Sequence, residues 1–174
     1  MGVHGNQERQ SIGAVNGRGY APRGRTPVRR TKGTAEKVHM ISTATNQGKV
    51  RLMFYRGTMH ACTLTGCFGR LLRTVDDKVF VILDNLKVHH AGPVKTWPAK
   101  NAERIERFHP PSYSSDLHPD EYLNCDLKAL IGGQPDSRSQ GQLERSALGV
   151  MRSIQKPPRR VRNYFTHKSI AYAA

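Results

Sequence analysis

The sequence predicts an α/β fold, a sheet covered by helices, and three patterns predict it. Val79-Phe80-Val81-Ile82-Leu83 is an unbroken apolar run without period-two alternation, which suits a strand buried on both faces. Lys49 to Tyr55 alternates instead, with Val50, Leu52 and Phe54 on one side and Arg51, Met53 and Tyr55 on the other. Leu64, Phe68, Leu71, Leu72 and Val75 recur at i, i+4, i+7, i+8 and i+11, the period of an amphipathic helix.

Taken in order, residues 1–37 show no hydrophobic periodicity. Gly17-Arg18-Gly19-Tyr20-Ala21-Pro22-Arg23-Gly24-Arg25-Thr26-Pro27 reads as an extended, basic loop. Val38 to Ala44 forms a short strand, and Thr45-Asn46-Gln47-Gly48 is a turn. With the alternating stretch to Tyr55, these make an antiparallel hairpin. The helix over 64–75 contains Gly66 and Gly69, each costing about 1 kcal/mol relative to Ala, so it depends on packing. The apolar strand over 78–84 follows. A short helix from Val94 to Ala102 is weakened by Pro98. Arg104 to Phe108 has the alternating polarity of an edge strand, and Pro110 to Ser115 is a loop.

A helix opens at His118-Pro119-Asp120-Glu121 and runs to about Ile131. Pro119 suits its first position, the acids suit its positive end, and Gly132-Gly133 stop it. Leu123, Leu127 and Leu130 lie roughly 180–240° around from Glu121, which therefore faces a cleft or solvent. A further helix is expected around Leu143 to Ile154. The tail Pro157-Pro158-Arg159-Arg160-Val161-Arg162-Asn163-Tyr164-Phe165 has two readings. Its arginines and aromatics suit nucleic acid, or its aromatics pack on the domain while the arginines stay solvated.

The 174 residues allow one domain with a core, and a net charge of +15 points to a polyanionic partner. The charge is uneven: residues 1–60 hold 11 Lys/Arg against 2 acids, 61–134 hold 9 against 9, and 135–174 hold 8 against 2. The expected organisation is a basic Gly/Pro/Arg-rich arm over 1–37, a core over 38–133 and a basic C-terminal extension over 134–174. Candidate DNA contacts are Arg23, Arg25, Arg29, Arg30, Arg159, Arg160 and Arg162. Cys62, Cys67 and Cys125 are odd in number and lack CxxC spacing, which argues against a disulfide framework or a zinc knuckle. His89, His90, His109, His118 and Cys125 match no standard zinc spacing. The polar start carries no secretory signal, Asn6 breaks the myristoylation pattern, and no run approaches a membrane span. The expected location is the cytoplasm, associated with the nucleoid.

Asp84 ends the apolar strand, and Glu121 stands 121 − 84 = 37 positions on, in a helix's first turn. A carboxylate beyond the C-terminal end of a buried strand lies where open α/β sheets bind ligands. The plainer reading is that Asp84 stops the strand. Leu-Asp-Asn-Leu-Lys-Val-His-His, followed by Pro-Ser-Tyr-Ser-Ser-Asp-Leu-His-Pro-Asp-Glu-Tyr-Leu-Asn-Cys-Asp-Leu-Lys, resembles one family. It looks like the catalytic domain of bacterial insertion-sequence transposases of the mariner-related D-D-E class. The resemblance covers roughly residues 15–174, from Gly-Arg-Gly-Tyr-Ala-Pro-Arg-Gly to the closing Tyr172-Ala173-Ala174.

The resemblance implies an RNase-H-like mixed sheet flanked by helices. It implies DNA strand cleavage and transfer with two Mg²⁺ or Mn²⁺ ions, held in part by Asp84 and Glu121 as second and third acids. Such ions stabilise the attacking and leaving oxygens of an in-line displacement and take hard carboxylate oxygens. It also implies transposon-end and target DNA as partners, with a homo-oligomer or a full-length transposase beside them.

Departures from the family pattern set further expectations. The family's first acid precedes the Gly-Arg-Gly-Tyr motif, where this chain reads Val3-His4-Gly5-Asn6-Gln7-Glu8. Asn6 is the nearest equivalent and Glu8 a poor substitute. The first strand is expected to be missing or degraded, and the chain truncated at its N-terminus. His118 replaces the usual Asn and Ser115 the usual Pro. Three functions therefore compete: an impaired metal-dependent transposase domain, a non-catalytic DNA-binding or transposase-inhibiting fragment, and a ribosome-associated basic protein.

Overall fold

The computed structural model describes the backbone of residues 2–8, and residues 22–25, 37–83, 90–109, 119–135, 137–166, 168 and 170. Five strands form one mixed sheet in the order β3-β2-β1-β4-β5. In chain order these are β1 (Gly2–Glu8), β2 (His39–Thr45), β3 (Val50–Tyr55), β4 (Val79–Leu83) and β5 (Ile105–Phe108). The helices are α1 (Ala61–Leu72), α2 (Gly92–Lys100), α3 (Pro119–Gly132), α4 (Gln140–Gln155) and α5 (Pro158–Asn163).

The opening strand is present, which corrects the expectation that it is missing or degraded. β1 lies at the centre, antiparallel to β2 from Val3↔Thr45 to Glu8↔Met40 and parallel to β4 from Gly2↔Phe80 to Gly5↔Leu83. Strand pairing is made by backbone N–H and C=O groups, so a polar segment can be held by two strongly patterned neighbours. The first-strand region is therefore part of the sheet.

The hairpin forms as expected. Thr45 and Lys49 close it, Gly48 N donating to Thr45 O at 2.9 Å and Lys49 N to Thr45 Oγ1 at 3.1 Å. Gly48 adopts φ +87°, where a Cβ would be strained. It would also meet Pro158 O at 2.4 Å, so the turn sits against the start of α5.

The two sheet faces are covered at opposite ends. Val79, Val81 and Leu83 of β4 pack with Ile105 of β5 against Leu64, Phe68 and Leu71 of α1 and Val94 of α2. On the other face, Met40, Ala44 and Val50 of the hairpin pack against Leu123 and Leu127 of α3, Met151 and Ile154 of α4, and Val161 of α5. Consequently β4 is not buried on both faces. Phe80, on its second face, is 37% exposed, and Ile82 is half-buried. Helices α3 to α5 cover β1 to β3 on that face, and Phe80 lies beyond them with Phe108 of the edge strand, the ring centroids 6.2 Å apart.

Over its described residues, the region expected as a basic C-terminal extension contributes to the core. Val150, Met151, Ile154, Val161, Tyr164, Phe165 and Ile170 are buried in the same core as α3. Helix α4 begins where Ser139 Oγ accepts Gln142 N at 3.3 Å, satisfying a free helix-start donor, and Gln142 Oε1 reaches back to accept Arg138 N at 2.8 Å. Gln155 Nε2 donates to Val50 O at 2.8 Å, tying the far end of α4 to the hairpin. Among the described residues, no helix is long and apolar enough to cross a membrane.

Candidate functional site

The sheet register and α3 position the candidate site. Gly5 of β1 pairs with Leu83, the last residue of β4. Asn6 comes next on β1 and pairs on its other side with Ser42. Asp84 follows Leu83 in the sequence and lies outside the described residues. Glu121 stands in the first turn of α3, which packs against β1 and β2.

Burial on α3 follows Asp120, Leu123, Asn124, Leu127 and Ile131, spaced i, i+3, i+4, i+7 and i+11. Leu130, expected on that stripe, is only half-buried, because the stripe turns toward Ile131. Glu121 is one residue, about 100°, from the stripe's leading edge and is half-buried. It borders the core and does not enter it, in line with its expected outlook. Its neighbour Asp120 is fully buried, and Asn124 one turn later is also buried. The sequence reading gave Asp120 only a role at the helix's positive end. The signal for its burial was the helical spacing it shares with Leu123 and Leu127.

The expected metal ions ask for several hard oxygen donors. Glu121 supplies a carboxylate, but position 6 holds an amide, whose oxygen is neutral. Among the described residues no three His, Cys, Asp or Glu side chains gather to hold a metal.

The basic candidates divide. Arg23 and Arg25 are exposed on a turn in which Arg25 N donates to Pro22 O at 3.0 Å and Gly24 takes φ +85°. Arg29 and Arg30 lie outside the described residues. Arg159 is exposed. Arg162 is exposed as well, and its Nε donates to Gln47 O at 3.2 Å. Arg160 is engaged internally, its Nε donating to Asp126 Oδ2 at 2.7 Å. The Tyr164 hydroxyl donates to the same oxygen. The Arg160 hydrogen bond holds the Asp126 carboxyl below the usual carboxylate range, and burial raises the Tyr164 phenol. Tyr164 and Phe165 are in the core, so of the two readings of the tail these aromatics follow packing. Sequence reasoning missed the Asp126–Arg160–Tyr164 cluster, which joins residues 34 and 38 positions apart without a local pattern.

Of the histidines weighed for zinc, His90 and His109 stack with centroids 5.0 Å apart, while His89 and His118 lie outside the described residues. Cys125 is exposed on α3.

With this geometry in place, the family follows. Residues 7–144 match the family described as DDE superfamily endonuclease, and the chain belongs to it. No curated protein matches the chain by sequence. Among solved structures, the Mos1 transposase paired-end complex with left transposon end is similar at TM-score 0.67 and 18% identity, over 99% of this chain and 55% of that one. The Mos1 mariner paired end complex with Mn gives 0.64 at 18% identity, over 99% and 55%. The catalytic domain of Mos1 mariner transposase gives 0.56 at 16% identity, over 98% and 81%. The fold is thus RNase-H-like, that of a DDE transposase catalytic domain, and the chain spans about half the length of the first two.

Proposed function

We propose that this chain is a DNA-binding domain derived from a bacterial insertion-sequence transposase of the mariner-related class, with cleavage and strand transfer impaired. The observation that carries the reading is Asn6. It follows Gly5, the register partner of Leu83, on the central strand, where the family resemblance expects the first acid. Asp84 and Glu121 are the residues that would hold Mg²⁺ or Mn²⁺, which in such sites polarises the phosphodiester and activates the attacking oxygen. An amide at position 6 contributes no charge to bridge two cations. This chain's part therefore ends at holding DNA, and any ion held by Asp84 and Glu121 supports no strand cleavage.

The DNA partner is supported by the family match, the excess of positive charge and the exposed Arg23, Arg25, Arg159 and Arg162. The test is nicking of supercoiled DNA by the purified chain in Mg²⁺ or Mn²⁺. None is expected. Metal-dependent nicking that disappears in Asp84→Ala would overturn the reading and make another acid complete the site. Because β1 is present, Asn6→Asp should enlarge the rise in melting temperature that Mn²⁺ causes, through mass action on the folded state. The gain should vanish when Glu121→Gln is added.

A further inference from the structure

A cavity of about 230 Å³ lies between the hairpin and α1, lined among others by Ile41, Thr43, Arg51, Met53, Cys67 and Leu71. Met40 and Ala44 of β2 face α3, so by strand alternation Ile41 and Thr43 face the opposite side, where α1 packs. The cavity is therefore separated from the Glu121 site by the sheet. Thr43 and Arg51 are register partners across the hairpin, as are Ile41 and Met53, which places two polar groups beside two apolar ones.

The polar groups are held but not satisfied. Arg51 Nε donates to Thr74 Oγ1 at 2.9 Å and its Nη2 to Thr74 O at 3.4 Å. The Thr74 hydroxyl in turn donates to Leu71 O at 2.9 Å, fixing the guanidinium against the end of α1. Arg51 Nη1 and Thr43 Oγ1 are both buried without a hydrogen-bond partner. Buried polar groups are nearly always paired, so two unmet ones at one cavity require an explanation. Among the described residues no Asp or Glu lines the cavity, and Arg70 adds a second cation to its wall.

We propose that this cavity binds a small organic carboxylate with an apolar body. The carboxylate would accept from Arg51 Nη1 and the Thr43 hydroxyl, and the body would lie against Ile41, Met53 and Leu71. A charge-assisted hydrogen bond to a guanidinium is stronger than a neutral one, and the fixed fork of Arg51 reduces the ordering cost. Burial lowers the pKa of Arg51, a penalty that a bound anion would offset. Burial also pushes the Cys67 thiol up to about 11, so it stays neutral and does not repel the ligand. The volume is below the roughly 300–1,000 Å³ of drug-sized sites, so the ligand is a fragment, and a nucleic-acid backbone is too large to enter. The proposal is independent of the DNA-binding reading.

The test uses the full chain labelled with ¹³C at its methionine methyls, titrated with benzoate and with its neutral isostere benzamide. Benzoate should shift the Met53 methyl saturably, with benzamide about tenfold weaker or more. Thr43→Val, which keeps the side chain's shape, should weaken benzoate by about tenfold and leave benzamide unchanged. Arg51→Gln should abolish the preference for the anion, but it also removes the tie to Thr74, so Thr43→Val decides the matter if that variant does not fold. An unmoved Met53 methyl, equal binding of both probes, or unchanged benzoate affinity in Thr43→Val would each overturn the proposal and leave the cavity to water.

Discussion

At the scale of single residues, Asp126 shows how one carboxylate joins two helices. It accepts from Arg160 and from Tyr164, binding α5 to α3 across 34 and 38 positions of sequence. The ion pair is partly exposed, so solvent screens it, and the shared hydrogen bonds carry much of its effect. Asp126→Asn should cost about 1–2 kcal/mol, read from urea unfolding at neutral pH. The pH dependence has a definite sign. Asp126 has a folded pKa below its ordinary value, so its contribution is complete above the unfolded value of about 4. It is lost as pH falls through the lower, folded value. The stability difference between the wild type and Asp126→Asn should therefore be constant from about pH 5 to 7 and shrink steadily below about pH 4. A difference that persists undiminished at acid pH would mean that the variant acts through packing.

At the scale of elements, the hairpin turn and helix α5 stabilise one another. Gly48 takes φ +87° and a Cβ there would meet Pro158 O at 2.4 Å. Gly48→Ala should cost about 2 kcal/mol or more, the sum of backbone strain and displaced contact, while Gly57→Ala should cost only the strain. Similar losses in the two variants would show that α5 moves aside freely. Removing residues 157–174 should be far worse, because Val161, Tyr164, Phe165 and Ile170 leave the core and Leu123, Leu127 and Met151 gain exposure. The expected result is loss of cooperative unfolding and binding of a hydrophobic dye. Most elements were legible in the sequence because their signals are local. The alternation to Tyr55, the helical period over 64–75, and the Pro119 start with its acids each fall within about one element's length. Strand β1 was not legible, because its polar residues are held by pairing with β2 and β4, more than thirty and seventy positions away. Burial of the tail's aromatics was one of two readings, and no local pattern decided between them. In the candidate site, the placement of Glu121 off the apolar stripe could be read from helix geometry. The central position of Asn6 depends on a register that no local pattern records.

At the scale of the whole molecule, net charge and its arrangement govern the proposed contact with DNA. The chain carries +15, yet residues 61–134 hold equal numbers of basic and acidic residues, so the excess belongs to the two ends. Folding changes what that excess offers. Arg160 is occupied by Asp126, whereas Arg23 and Arg25 are exposed on a tight turn. Each phosphate neutralised releases condensed counterions, which gives a slope of about −0.9 in a plot of log affinity against log salt. Binding should therefore be insensitive to DNA sequence and fall steeply with salt. Changing Arg23 and Arg25 together to Gln should flatten the slope by up to about 1.8, with the melting temperature unchanged because neither side chain is buried. Arg160→Gln should do the reverse, lowering the melting temperature and leaving the slope in place. The two measurements separate a charge that touches DNA from a charge that holds the fold. If Arg160→Gln flattens the slope while Arg23→Gln with Arg25→Gln does not, the DNA contact lies along α5, and the Asp126 pair must open for it to form.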